Sequence, residues 1–310
     1  MQNFFRSSCV IIGGGSTGKM GEKLDSIEVT SGLSKTKIQL PNLPDKINHF
    51  SMFIHNGSLM FCGGYNDNLD QRISKGCYQL DKGKWKRHSA LNRKRVGAQV
   101  VSTEKGTFLF GGSLSSNTYE FLPNNPRSKK WNVGNKCKIP GGFLDGSAIE
   151  VKSKQQIWLI GGMRGNICGP YYHNRILSFD ISSEIFQELP IKLNVARDSH
   201  VCAFIPGTNK ILIAGGFSYP YKYDNTTEII DTEDGSVTVG GSLNIGRVGH
   251  GIGIIMINGV KKLAVFGGVD RTRNDNSSIE LYNAETDQWE MADFTLNEPK
   301  FSFGYVTVKK

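Results

Sequence analysis

The sequence predicts an all-β fold assembled from six copies of one small antiparallel sheet, on three observations. An apolar run that stops at a glycine pair recurs six times, at Gly13-Gly14, Gly63-Gly64, Gly111-Gly112, Gly161-Gly162, Gly215-Gly216 and Gly267-Gly268. The spacing is nearly even, at 50, 48, 50, 54 and 52 residues. Each pair is followed by two further short strands, and none by a helical signal. The 37 glycines and the lack of any long apolar run suit many short strands joined by tight turns.

The unit is clearest from Leu263 to Met291. Its first strand, Leu263 to Phe266, ends where the glycine pair allows positive φ or the close passage of another chain. A polar loop follows, then a strand from Ile279, a turn at 283–287, and a third strand carrying Trp289. The equivalent first strands are CVII, LMFC, TFLF, IWLI and ILIA, apolar on both faces as strands buried between two layers should be. The second strands begin at Ser26, Cys77, Thr118, Ile176, Thr227 and Ile279. The third carries Trp85, Trp131, Phe186 or Trp289, with only Ile38 and Val237 in repeats one and five, which implies looser packing there. Upstream of every pair but the first lies one more strand, from His49, Val96, Gly146, His200 and His250. The first repeat has no room for one, and the C-terminus has one to spare from Phe301. We expect this tail strand to complete the first repeat, removing an open edge.

A period near 50 residues with this order of parts resembles the Kelch repeat. The resemblance spans 1–310 and implies a single domain, a six-bladed Kelch-type β-propeller with four antiparallel strands per blade, closed by the C-terminal strand in blade one. In such a blade the loops after the glycine pairs share a face with the connections that enter each innermost strand. The other face carries tight turns, such as Asn56-Gly57 and Asp234-Gly235, which turn chemistry alone explains.

The first face carries aromatics and arginines: Tyr65 and Arg72 in repeat two, then Arg164, Tyr171, Tyr172 and His173 in repeat four. Tyr219, Tyr221 and Tyr223 follow in repeat five, and Arg271 and Arg273 in repeat six. Tyrosine and arginine join broad contact area to directed hydrogen bonds, as binding hot spots require. Just before each inner strand stands a base: Lys46, Arg95, Arg197, Arg247 and Lys300, with Phe143 breaking the series. These bases either bond loop carbonyls or present a ring of charge to an acidic peptide.

The net charge is +9, and residues 72–138 hold 15 Lys and Arg against three acids. That sector is basic while the remainder is near neutral, so its field would attract an acidic partner. No nucleic-acid-binding module is recognisable, and no apolar run approaches the ~20 residues of a membrane span. The N-terminus lacks the apolar centre of a signal peptide, so a cytoplasmic protein is expected. Six widely spaced cysteines without a CxxC argue against zinc, and Cys9, Cys62 and Cys202 fall in buried strands as small apolar thiols.

His49, His200 and His250 stand at the start of inner strands. No P-loop, nucleophile elbow or HExxH pattern is present. The expectation is a protein-interaction module with no catalytic residue, metal or cofactor. Its partner would be a protein or acidic peptide. The family resemblance implies actin or a ubiquitin-ligase substrate, although no BTB segment occurs in the sequence. The alternative is a propeller enzyme acting on a sugar, of copper oxidase or sialic acid mutarotase type.

Overall fold

The computed structural model describes residues 8–18, 22–31, 39–67, 72–125, 128–134, 137–164, 171–218 and 222–308. It is all-β, built of short antiparallel sheets of which most have four strands. The chain divides into two compact units, His49–Asp198 and the pair of segments Met1–Asn48 and Ser199–Lys310.

The unit His49–Asp198 holds repeats two to four. Its first sheet runs Ser51–His55, Ser58–Cys62, Cys77–Asp81, Lys84–His88. The next runs Gln99–Ser102, Gly106–Phe110, Tyr119–Pro123, Asn132–Val133. The third runs Ser147–Val151, Gln156–Ile160, Arg175–Asp180, Phe186–Lys192. Sequence order and spatial order coincide, so each repeat is one meander. The leading strands of neighbouring sheets lie side by side: Ser51 Oγ donates to Ala98 O at 2.8 Å and Ser102 Oγ to Ile54 O at 2.8 Å.

The glycine-terminated strands are buried on both faces, as their unbroken apolar runs require. Between the sheets lie two clusters. Phe53, Met60, Leu109, Leu122 and Trp131 form one, and Phe108, Phe110, Tyr119, Phe179 and Phe186 the other. Burying each such side chain contributes roughly 1.5–3 kcal/mol.

The other unit holds the first, fifth and sixth repeats. Val201–Phe204, Lys210–Ala214, Thr227–Asp231 and Val237–Gly240 form one sheet. Gly251–Ile257, Val260–Phe266, Ser278–Asn283 and Gln288–Thr295 form the next. The first repeat supplies Cys9–Gly13 and Ile27–Thr30, and the tail strand Gly304–Val308 joins them with Cys9 opposite Val308 and Gly13 opposite Gly304. The spare C-terminal strand therefore pairs where the sequence reading put it. The expected outer strand of repeat one, at Ile38, lies outside the described residues.

Two sequence expectations need correction. In repeat one the working pair is Gly14-Gly15, with φ of +59° and +99°, while Gly13 is an ordinary strand residue. A Cβ on Gly15 would stand 2.8 Å from Phe301 O, so the close passage of another segment fixes the register of the motif. Cys62 is not a free thiol: it faces Cys77 across adjacent strands, Cα to Cα 4.2 Å, in a disulfide. Cys9 and Cys202 keep their thiols, and burial pushes that of Cys9 up to about 12.

Candidate functional site

The site begins with a backbone pattern. In every repeat the N–H of the second glycine donates to the carbonyl that precedes the inner strand. The pairs are Gly15 to Ile47, Gly64 to Arg95, Gly112 to Phe143, Gly162 to Arg197, Gly216 to Arg247 and Gly268 to Lys300, at 2.8–3.0 Å. The base position of repeat one is therefore Ile47, and Lys46 is exposed beside Glu22 at 3.3 Å. Two residues further on, the chain turns left-handed at His49, Gly97, Asp145, Ser199, Gly249 and Ser302. Within each unit these turn residues are linked to one another. Gly97 N donates to His49 O, and Asp145 N to Gly97 O, in one unit; Ser302 N donates to Gly249 O in the other. His49 belongs to this series, so it is one position out of step with His200 and His250, contrary to the sequence reading. His250 Nε2 lies 3.1 Å from Ala214 O, and burial, then Arg247, lowers its pKa to about 3.

The side chains at the base position point inward. Arg95 is 1 % exposed; Nε lies 3.1 Å from Glu120, and Nη1 donates to the carbonyls of Gly111 and Thr118. Arg247 is 0 % exposed; Nη2 lies 2.5 Å from Glu280, and Nη1 donates to Gly267 O. Lys300 Nζ lies 3.3 Å from Glu28 and 3.0 Å from Glu298. Arg197 is equally buried. This corrects the assignment of Arg95, Arg197 and Arg247 to a partner surface: all three are interior groups, and Arg95 and Arg247 spend their donors on the loops they hold. A paired, hydrogen-bonded guanidinium is how a charge tolerates such burial.

A longer motif explains these ties, and the sequence reading missed it. Leu91-Asn92, Leu193-Asn194, Leu243-Asn244 and Leu296-Asn297 each stand four residues before the base, as Leu-Asn-x-x-Arg/Lys. Asn92 donates through N and Nδ2 to Glu120 Oε2, and Asn244 does the same to Glu280 Oε2. In the other two repeats the motif reads Leu43-Pro44-x-x-Ile47 and Ile139-Pro140-x-x-Phe143. The acid is missing there too. Tyr78 and Leu177 occupy the strand positions that Glu120 and Glu280 hold elsewhere, each opposite the same residue of the glycine-terminated strand. Tyr78 stacks on Phe61 at 4.9 Å, and Leu177 clusters with Phe143 and Leu159. Base and acid come and go together, which was visible as residue types but not as a contact.

The loops after the glycine pairs are small β-ribbons rather than open loops in every repeat but the third, where residues 113–117 form tight turns. Ser16–Thr17 pairs with Glu22–Lys23, Met163–Arg164 with Tyr171–Tyr172, and Phe217–Ser218 with Lys222–Tyr223. Single bridges do the same at Tyr65–Ile73 and Val269–Asp275. Of the expected contact residues, Tyr65, Arg164, Tyr171, Tyr172 and Tyr223 fall on these pairings, and Arg72, His173, Arg271 and Arg273 lie beside them. Arg72 is exposed and hydrogen-bonds Tyr65, which with Asp67 holds its pKa above the usual range. Tyr223 packs edge-on against Phe217 at 5.5 Å and so pins its own ribbon. Arg271 and Arg273 are exposed on a loop whose shape comes from Asp270, which accepts from Thr272 N and Asn274 N. Tyr219 and Tyr221 lie outside the described residues, and Tyr171 is placed only by its pairing opposite Arg164.

Repeat four has the densest cationic group. Arg164 is exposed, Arg175 is half-buried and donates to Pro140 O at 2.5 Å, and Glu188 lies 3.8 Å from Arg175. Between them His173 is held neutral: burial, then Arg175 and Arg164, lowers its pKa to about 4. Its Nε2 is buried without a hydrogen-bond partner among the described residues. The guanidinium groups of Arg164, Arg271 and Arg273 also have no hydrogen bond or ion pair among the described residues, unlike the interior arginines. Among the described residues no three His, Cys, Asp or Glu side chains gather in a way that could hold a metal ion.

The chain matches no family model and no curated protein.

Proposed function

We propose that this chain is a protein-interaction module, a six-bladed propeller of Kelch type that recognises a partner bearing acidic groups through its ribbon-bearing loops. The six-fold period, the meander order within each unit and the tail strand paired to Cys9–Gly13 support the ring. The observation that carries the function is the division among arginines. Arg95, Arg197 and Arg247, before the inner strands, are buried, whereas Arg164, Arg271 and Arg273 are exposed and have no hydrogen bond or ion pair among the described residues. Exposed guanidinium on a backbone-paired ribbon is pre-organised for a carboxylate at small entropic cost. The Cys62–Cys77 bond fits an oxidising compartment better than the cytosol.

The test is affinity capture with the intact chain beside two variants, Arg164→Ala and Arg271→Ala/Arg273→Ala. Both are expected to lose captured partners while melting within the ordinary range of surface substitutions, about 0.5 kcal/mol. If both retain every partner of the intact chain, the ribbons are not the contact surface. Stoichiometric copper in the purified protein would instead favour an oxidase.

A further inference from the structure

Repeat three differs from its neighbours on the face that carries the ribbons. In repeats two and four, residues 65–76 and 163–174 separate the second glycine from the next long strand, and each stretch holds a β-pairing. In repeat three only residues 113–118 do so, as two successive turns: Ser115 N donates to Gly112 O and Thr118 N to Ser115 O. This shorter loop lies between the two ribbons. Ser113 N donates to Val96 O, next to the Arg95 carbonyl that accepts from Gly64 N. On the other side Ser116 O accepts from Phe143 N, next to the Leu144 carbonyl that accepts from Met163 N. All of these residues belong to the unit His49–Asp198. The result is a notch with repeat three as its floor.

Leu114 stands on that floor, 74 % exposed and with φ of +65°. Exposure of one leucine is ordinary. Its backbone is not, because the left-handed region suits Gly or Asn and strains a bulky side chain. Among the described residues every other non-glycine at positive φ is polar or charged. The buried Arg95 imposes the turn, donating from Nη1 to the carbonyls of Gly111, Ser115 and Thr118. An apolar side chain held in strain and in solvent by a buried group points to a contact with another molecule. Beyond Leu114 the floor is kept bare. A Cβ on Gly142 would stand 2.9 Å from Ser116 Oγ, and one on Gly141 would stand 2.9 Å from Arg175 Nη2. Cations flank the floor: Arg72 is exposed on the side of repeat two, and Arg164 on the side of repeat four. Residues 113–118 themselves carry no acid.

We propose that this notch takes an extended segment of a partner protein in which one apolar residue is flanked by acids. The apolar side chain rests on Leu114, and the acids meet Arg72 and Arg164. The inference rests on the reading of the ribbons as contact surfaces and names what two of their arginines meet. An aliphatic anchor between two guanidinium groups fixes the register of the bound segment, which charge alone does not.

The test is selection of short random peptides displayed on phage, against the full chain and three variants. The intact chain is expected to enrich peptides with an apolar residue between acids. Leu114→Asn is expected to keep the acids, lose the apolar preference, and bind the best wild-type peptide roughly tenfold more weakly by fluorescence anisotropy. Asn is at home in the left-handed region, so this variant is expected to melt no lower than wild type. Arg72→Ala/Arg164→Ala is expected to lose the acids. Val239→Thr, at a residue 72 % exposed in another sheet, is expected to change neither preference. Enrichment of acidic peptides without an apolar preference, or equal affinity of wild type and Leu114→Asn, would overturn this inference and leave the ribbons as a surface of plain charge attraction. Absence of any acidic peptide would overturn both readings.

Discussion

Arg247 and Glu280 are both fully buried, 2.5 Å apart, and 33 residues apart in sequence. Removing one member strands the other charge in a medium that cannot solvate it, which costs about 3–5 kcal/mol, while replacing both by packed apolar groups is often neutral. The protein contains the apolar version already, in Phe143 and Leu177. Arg247→Met alone should therefore lower unfolding stability by about 3 kcal/mol or more, and Arg247→Met/Glu280→Leu should recover most of it. Urea denaturation of the two variants decides the matter; a double variant as unstable as the single one would mean that loop anchoring, rather than charge pairing, is the main contribution. The bases before the inner strands were legible in sequence as a periodic residue type. The inward orientation of Arg95, Arg247 and Lys300 was not, because the acid that captures each of these lies in the next repeat, and spacing along a chain does not report which side of a strand a neighbour occupies.

Strands and their order were the most legible level, because an apolar run ended by a glycine pair has one physical meaning wherever it recurs. The glycine motif slipped by one residue in repeat one because three glycines stand together at 13–15, and only the φ values separate a strand glycine from a turn glycine. The ribbons were missed since two-residue pairings leave no alternation to read. The disulfide was missed for a related reason: Cys62 ends one strand and Cys77 begins the next, so the pairing emerges only when the register sets them opposite each other. Closing a loop of this length removes about 3 kcal/mol of denatured-state entropy. Cys62→Ala/Cys77→Ala should lose about that much stability, and a reductant should shift the wild-type protein by a similar amount. The reductant should leave the variant unmoved. Equal sensitivity of both proteins would show that the bond is not what the reductant reaches.

Titration sums over the whole molecule. Burial lowers the pKa of His250 to about 3, of His55 to about 4 and of His173 to about 4, against 6.5 ordinarily. Asp145 moves the other way: burial, then Asp198, raises its carboxyl to about 7. Near pH 5 the folded histidines are neutral while the unfolded ones are charged, so unfolding takes up about three protons there. Asp145 still holds its proton when folded and has lost it when unfolded, so it returns about one. The balance for these four groups is an uptake of about two protons, and stability must fall as pH drops from about 6.5 towards 4. The signs can be separated by substitution. His250→Gln removes one proton of uptake and should flatten the slope of stability against pH by about half. Asp145→Asn removes the opposing release and should steepen it. Denaturation midpoints at half-unit steps between pH 5 and 7 read both slopes. A wild-type slope of zero, or an Asp145→Asn slope shallower than wild type, would mean that these interior groups do not hold their protons as their surroundings dictate.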